Sequence, residues 1–142
     1  DRRSTTDCLF KFLGAPIAWC CEKQVVVALS SCEVENIAGS YAACQAIWLD
    51  SVLKMSVDAE KPMQLLVDNR SAINLAKNPV SHGRSKHIET RFHFLREQVN
   101  DGRLELVYYP TELQIADVLT KSLKRDRFEK LRAELGMVSL RN

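Results

Sequence analysis

The chain has 142 residues, a length at which one domain can bury a sizeable core. Its composition, 46% hydrophobic and 27% charged, is typical of a globular protein and excludes a disordered or fibrous chain. No apolar run approaches the roughly 20 residues that a membrane-spanning helix needs, and the polar N-terminus is unlike a signal peptide. We therefore expect a single domain over residues 1–142, with no membrane partner.

Charge and cysteine content indicate the kind of partner and the compartment to expect. The net charge is +2, but residues 1–60 carry −3 and residues 61–142 carry +5, which permits a polyanionic partner without requiring one. The five cysteines lack metal-ligand spacing and are expected to be reduced, small apolar residues. This indicates an intracellular compartment, cytoplasmic or nuclear, which the sequence does not specify further.

The N-terminal half predicts two strands and a long helix. Residues 8–14 form a short β-type run that ends at a glycine, and residues 16–31 continue as extended chain with β-branched residues from Val25 to Leu29. An antiparallel pair or a three-stranded meander follows from this pattern. Ser30 or Ser31 can cap the next helix, predicted at about 32–55 from apolar residues three and four apart. Trp19 and Trp48 are expected in the core.

The C-terminal half alternates helices and strands. A buried strand leads into Asp68 and a short helix over 69–77, followed by a basic loop and an amphipathic helix over 87–100. Residues 103–110 alternate as a strand, and helices are predicted at about 112–122 and 125–135. The order β-β-α-β-α-α-β-α predicts a mixed α/β domain with helices covering a sheet.

Three carboxylates stand at the edges of apolar surface. Glu35 lies in the first turns of the long helix, Asp68 ends a strand, and Asp117 lies between apolar residues of a helical turn. Carboxylates from three elements form a plausible site for hard divalent cations. A simpler explanation also fits: Glu35 caps a helix, Asp68 makes a turn at a strand end, and Asp117 is solvated. The spacing of the three residues in the sequence does not show that they meet in space.

Several longer segments nevertheless resemble one family. "DRRSTT", "VALSSCEVENIA", "LLVDNRSAINLAKNP", "RSKHIETRFHFLREQV" and "VYYPTELQIADVLTKSL" resemble the ribonuclease H domain of copia-type (Pseudoviridae) retrotransposon Pol polyproteins, in order and over nearly the whole chain. The resemblance implies the ribonuclease H fold, a five-stranded mixed sheet with helices on both faces. It also implies cleavage of RNA in RNA–DNA hybrids with two Mg²⁺ or Mn²⁺ ions, and an adjoining reverse transcriptase domain. Glu35, Asp68 and Asp117 become three of the four metal-holding carboxylates.

The resemblance also identifies a difference. The family's first strand carries the fourth carboxylate and lies centrally, between the strand near 8–13 and the strand ending at Asp68, but this chain begins after it. The resemblance therefore implies that the 142-residue chain has weak nuclease activity or none, and that its sheet is incomplete. Asp7 departs from the family pattern by placing a charge at the entrance of a strand.

A basic segment completes the family pattern. Arg84, Lys86, His87 and Arg91 match its "R-x-K-H-I-x-x-R" block, and the resemblance implies contact with the backbone of the hybrid. An alternative of another class is a non-catalytic nucleic-acid-binding remnant of a decayed retrotransposon, with this basic face retained and the chemistry lost. Hybrid binding without cleavage would distinguish the remnant from the enzyme.

Overall fold

The structure, a computed structural model, describes residues 2–55, 61–78 and 86–138, with side chains from residue 89 onward in the last range. The element order agrees with the prediction from sequence until residue 110. The elements are β1 (Thr5–Phe12), β2 (Ala15–Lys23), α1 (Ser31–Leu53), β3 (Met63–Val67), α2 (Arg70–Lys77), α3 (Lys86–Asn100), β4 (Leu104–Tyr108), two 3-10 helices (Thr111–Leu113 and Ile115–Leu119) and α4 (Arg125–Glu134).

The first two strands form an antiparallel hairpin. Its loop is Leu13-Gly14, and both residues have positive φ, at 50° and 85°. Such a loop matches the right-handed twist of the flanking strands, and glycine adopts it without strain. The prediction that Val25 to Leu29 continue as a strand is wrong, because β2 ends at Lys23 and the chain then turns toward α1. The hairpin is thus a pair and not a meander.

Helix α1 is the element that organises the packing. The Ser30 hydroxyl accepts a hydrogen bond from the Glu33 N–H at 3.2 Å, and the Glu33 carboxylate accepts one from the Leu29 N–H at 2.7 Å. The first bond satisfies a donor that the helix start leaves open, and the second ties the residue before the cap to the first turn. Ala43 and Ala46 are fully buried on the face that packs against both β1 and β3. Small residues let this face approach the strands closely.

Replacing Ser30 by Ala is expected to lower the free energy of unfolding by about 1 kcal/mol, since the N-cap hydrogen bond is lost. The matched control is Ser31→Ala, one residue inside the helix and exposed. Urea denaturation of both variants gives the comparison. Equal effects of the two substitutions would contradict the capping role of Ser30.

The second pair of strands is parallel. β3 pairs with β4 in register from Met63 opposite Leu104 to Val67 opposite Tyr108. Parallel neighbours need a long crossover, which here contains α2 and α3. The Asn69 side chain caps α2 by accepting a hydrogen bond from the Ala72 N–H at 3.0 Å, so the helix begins three residues after β3 ends.

The expected single mixed sheet is not found. Within the described residues, β1–β2 and β3–β4 form two separate two-stranded sheets, and β1 does not pair with β3. Both sheets pack against α1 and contribute to one core cluster, so the mixed α/β class is confirmed. Both strands pack against α1, but no strand among the described residues pairs with both of them.

Two further expectations are wrong. The helix predicted at about 112–122 is two short 3-10 helices, because Gln114 adopts an extended conformation (φ −66°, ψ 104°) between them. Trp19 and Trp48 are 67% and 59% exposed, since the sides of β2 and α1 that carry them face away from the core. Among the described helices, none is long and apolar enough to cross a membrane.

Candidate functional site

Three structural elements direct carboxylates toward the end of β3. Glu35 lies in the second turn of α1, just beyond the Ser30 cap, and Asp68 directly follows β3. Asp117 lies in the second 3-10 helix, which packs against β1. The elements that carry the three residues singled out by the sequence are connected, because β1 and β3 both pack against α1.

The pKa of Glu35 shows that other carboxylates lie near enough to act on it electrostatically. Burial raises the pKa of the Glu35 carboxyl to about 7, and repulsion from Asp68 is the next cause. Asp7 and Asp117 raise it further, whereas Lys121 lowers it. Four carboxylates thus share one electrostatic environment, and Glu35 lies where their negative potential opposes its ionisation.

Asp7 is the member of this group that sequence reasoning treated only as a departure from the family pattern. Its carboxylate accepts a hydrogen bond from the Thr120 hydroxyl at 2.7 Å, across 113 residues of sequence. Burial raises the pKa of Asp7, the Thr120 hydrogen bond lowers it, and repulsion from Asp117 raises it again. The available signal was a charged residue inside an apolar strand, which requires a polar partner when half buried.

Asp117 is the most buried of the four and is already paired. It is 2% exposed, and its two carboxylate oxygens contact Lys121 Nζ at 2.7 Å and Arg127 Nη2 at 2.5 Å. Burial lowers the pKa of Lys121, but the hydrogen bond and charge of Asp117 raise it, and the net shift is upward. Two cations therefore neutralise Asp117. Sequence reasoning missed both of them.

The four carboxylates supply the oxygen ligands that a site for a hard cation needs, but their side chains are not positioned to bind one ion together. Carboxylate oxygens are the ligands that Mg²⁺ prefers, and a divalent cation would relieve the repulsion that raises the pKa of Glu35. Within the described part of the chain, however, no three His, Cys, Asp or Glu side chains come close enough to hold one ion. Binding therefore requires side-chain movement, most of all at Asp117.

The predicted basic contacts are only partly described. Arg84 lies outside the described residues, as do the side chains of Lys86 and His87 at the start of α3. Arg91 is half buried, with its guanidinium carbon 6.0 Å from the centroid of the Tyr41 ring. Tyr41 lies six residues along α1 from Glu35, about 9 Å at the helical rise. Arg91 is therefore beside the acidic group but separate from it.

A second guanidinium lies nearer to the end of β3. Arg70, two residues after Asp68, places its guanidinium carbon 4.4 Å from the centroid of the Tyr108 ring. Both side chains are exposed, and Tyr108 ends β4 next to β3. The cation–π contact holds a positive charge over Tyr108, which pairs with Val67 at the end of β3. No sequence signal pairs these residues, because the contact depends on the β3–β4 register.

The raised pKa of Glu35 predicts a pH dependence of stability. A carboxyl whose pKa rises from 4.5 unfolded to about 7 folded costs nothing below pH 4.5, where both states are protonated. Between pH 4.5 and 7 the unfolded state releases its proton first, so stability falls as pH rises. We expect Glu35→Gln to abolish this loss, on the order of 2 kcal/mol above pH 7 after allowance for solvent screening.

Urea denaturation at pH 4.5 and pH 8 measures this effect as the difference between the original chain and Glu35→Gln. Glu97→Gln, an exposed change on α3, serves as the control. A stability difference between the original chain and Glu35→Gln that does not grow with pH would contradict the shared environment of the carboxylates.

Comparison with known proteins gives a consistent set of relatives. The chain is 39% identical over 139 residues to the retrovirus-related Pol polyprotein from transposon TNT 1-94 of Nicotiana tabacum, 98% of this chain and 10% of the polyprotein. It is 36% and 37% identical to the corresponding Pol polyproteins from transposons RE2 and RE1 of Arabidopsis thaliana, covering 99% and 96% of the chain.

The chain spans about a tenth of the length of each of these polyproteins. No family model and no solved structure matches it. Over nearly all of its residues, the chain is homologous to one region of copia-type retrotransposon Pol polyproteins.

Proposed function

We propose that this chain forms part of a ribonuclease H-type endonuclease of a retrotransposon Pol polyprotein, which hydrolyses RNA in RNA–DNA hybrids. The observation that carries the proposal is that Asp68 and Asp117, from two other elements, both raise the pKa of Glu35. The similarity of the chain to retrotransposon Pol polyproteins also supports the proposal. An adjoining reverse transcriptase domain in the same polyprotein is the proposed partner.

Glu35, Asp68 and Asp117 would hold Mg²⁺ or Mn²⁺. When bound, two such ions stabilise the attacking and leaving oxygens of a phosphodiester displacement. Because carboxylates bind metal in their ionised form, the proton that Glu35 holds below pH 7 must leave before it can act as a ligand. Cleavage is therefore expected to increase as pH rises through 7.

The surrounding cations have two different roles in this proposal. Lys121 and Arg127 hold Asp117, and metal binding must compete with their two ion pairs. Arg84, Lys86, His87 and Arg91 would contact phosphates of the hybrid, which supplies affinity and register without sequence specificity. This competition at Asp117 is expected to slow cleavage in every version of the chain that keeps both cations.

The test is cleavage of a labelled RNA–DNA hybrid in Mg²⁺ and in Mn²⁺. The 142-residue chain is compared with a version extended by a family-like first strand, and an Asp68→Asn variant of each serves as its control. Cleavage by the extended version alone, abolished by Asp68→Asn, supports the proposal and a weakened activity in the shorter chain. Cleavage that survives Asp68→Asn in both versions would overturn the assignment of Asp68.

A second candidate function is favoured by the ion pairs of Asp117. A carboxylate held by two cations is poorly available to metal, which is compatible with a non-catalytic nucleic-acid-binding remnant. This alternative predicts hybrid binding that weakens with salt, and no cleavage by either version in either metal. Salt-dependent binding measured on the same hybrid distinguishes the two functions.

A further inference from the structure

Two cysteines lie directly opposite each other in the β1–β2 hairpin. Cys8 of β1 pairs with Cys20 of β2 in the antiparallel register. Opposed residues of such a pair point to the same face of the sheet. Here that is the face toward the core, because Cys8 is 7% exposed and belongs to the core cluster, and the partly buried Cys20 packs against the same cluster. The two thiols therefore lie on one side of the hairpin, and Cys20 is the more accessible of them.

The hydrogen-bond pattern of the hairpin indicates the spacing of this pair. The Gln24 N–H donates to the Ser4 carbonyl, so every second pair after it, including Cys8 with Cys20, is a hydrogen-bonded pair. The Cα atoms of such a pair are about 5.5 Å apart, within the range of about 4.4–6.8 Å found in disulfides. Opposed Cβ atoms are about 4.5–5.5 Å apart, against about 3.5–4.5 Å in a disulfide, so closure needs a movement of about 1 Å between the strands.

The neighbouring cysteine points to the other face of the hairpin. Cys21 lies opposite Asp7, and its Sγ donates a hydrogen bond to the Leu119 carbonyl oxygen at 3.5 Å. The two remaining cysteines lie on α1. Within the described strands, Cys20 is thus the cysteine that the register places opposite Cys8.

The environment of the two thiols gives them different reactivities. Burial raises the pKa of the Cys8 thiol to about 12, and the side chain of Cys20 is the next cause. At pH 7 the thiolate fraction of Cys8 is therefore on the order of 10⁻⁵. Because Cys20 is more exposed, it is the residue of the pair that meets a reagent from solvent first.

We propose that Cys8 and Cys20 form a redox modification site, which a low-molecular-weight disulfide, glutathione disulfide, converts from a dithiol into a cross-strand disulfide. The Cys20 thiolate attacks one sulfur of the reagent, a mixed disulfide forms, and one glutathione leaves as a thiolate. The Cys8 thiolate then attacks the Cys20 sulfur and displaces the second glutathione. The two cysteines are oxidised, the reagent is reduced, and the two cysteine protons pass to the two glutathione thiolates.

The two steps are expected to differ in rate. Cys8 is seldom ionised, so the second attack is slow and the mixed disulfide at Cys20 accumulates before the ring closes. Once closed, the link joins β1 to β2 covalently and restricts the unfolded chain.

The experiment treats the folded 142-residue chain with glutathione disulfide, blocks the remaining thiols with iodoacetamide and digests the product with trypsin. Cleavage after Lys11 places Cys8 on one peptide, and Cys20 with Cys21 on the next. We expect a mass that joins these two peptides and disappears after dithiothreitol. The link is expected to form in Cys21→Ser and to be lost in Cys20→Ser, the matched variant one residue away.

Thermal unfolding of the oxidised Cys21→Ser variant gives a second readout. Its Tm is expected to lie several degrees above that of the reduced variant, because the link restricts the unfolded chain. A link that forms only in urea, that survives Cys20→Ser, or that joins Cys8 to a cysteine of α1 would overturn the proposal. A mixed disulfide at Cys20 that never closes would also overturn it, as would an oxidised variant that unfolds below the reduced one.

Discussion

Replacing Asp117 by Asn is expected to lower the free energy of unfolding by about 3 kcal/mol, the low end for breaking a buried ion pair. The Asp117 side chain is 3% exposed and pairs with both Lys121 and Arg127. Asparagine keeps the shape but loses the charge, which leaves two cations facing each other across a neutral amide. The low end applies because Lys121 is half exposed and can turn toward solvent. Urea denaturation at pH 7 gives the value.

Two controls separate this effect from a general loss of negative charge. Asp126→Asn removes an exposed carboxylate from α4 and should change stability by less than about 0.5 kcal/mol. Asp68→Asn should be neutral or slightly stabilising, because Asp68 repels Glu35. A loss at Asp68 equal to that at Asp117 would contradict the opposite electrostatic roles of the two carboxylates.

Replacing Leu95 by Ala is expected to lower the free energy of unfolding by about 3–4 kcal/mol, as for other fully buried leucines. Leu95 is 2% exposed and belongs to the core cluster that joins both sheets. One of its methyl carbons lies 3.4 Å from the position that a Cβ on Gly39 would occupy, so α3 approaches α1 closely here. The truncation leaves a cavity that two packed helices cannot readily close.

The matched control for Leu95 is Leu29→Ala. Leu29 is 79% exposed, and the contact that it makes with Glu33 uses its backbone N–H, which the substitution keeps. We expect a change within about 0.5 kcal/mol. Thermal unfolding of both variants measures the difference, and a similar loss at the two positions would show that α3 is not packed into a specific core.

The sequence predicted those features that depend on neighbours along the chain. Periodicity located α1 and α3 to within a residue or two, because each helix buries one stripe of apolar side chains. The capping choice between Ser30 and Ser31 remained open, and the structure assigns it to Ser30. The strand predicted from the β-branched run from Val25 to Leu29 is wrong, because a strand also needs a partner and this segment pairs with none of the described strands.

The candidate site could be predicted only in part. Glu35, Asp68 and Asp117 were identified by position and by resemblance, but their mutual approach depends on how α1 covers β1 and β3. Asp7 joins them through Thr120, 113 residues away, and Arg127 reaches Asp117 from another helix. Such long-range polar contacts leave no periodic trace, since each involves a single side chain. Their catalytic roles remain predictions.

The sequence by itself determined the order of helices and strands, the mixed α/β class and the homology to retrotransposon Pol polyproteins. The tertiary structure alone decided that the described strands form two separate sheets, and that Lys121 and Arg127 both pair with Asp117. The physical reason is the range of the interactions. Helices and turns are set by residues three or four apart, whereas strand pairing and buried charge pairs join segments that only the folded chain brings together.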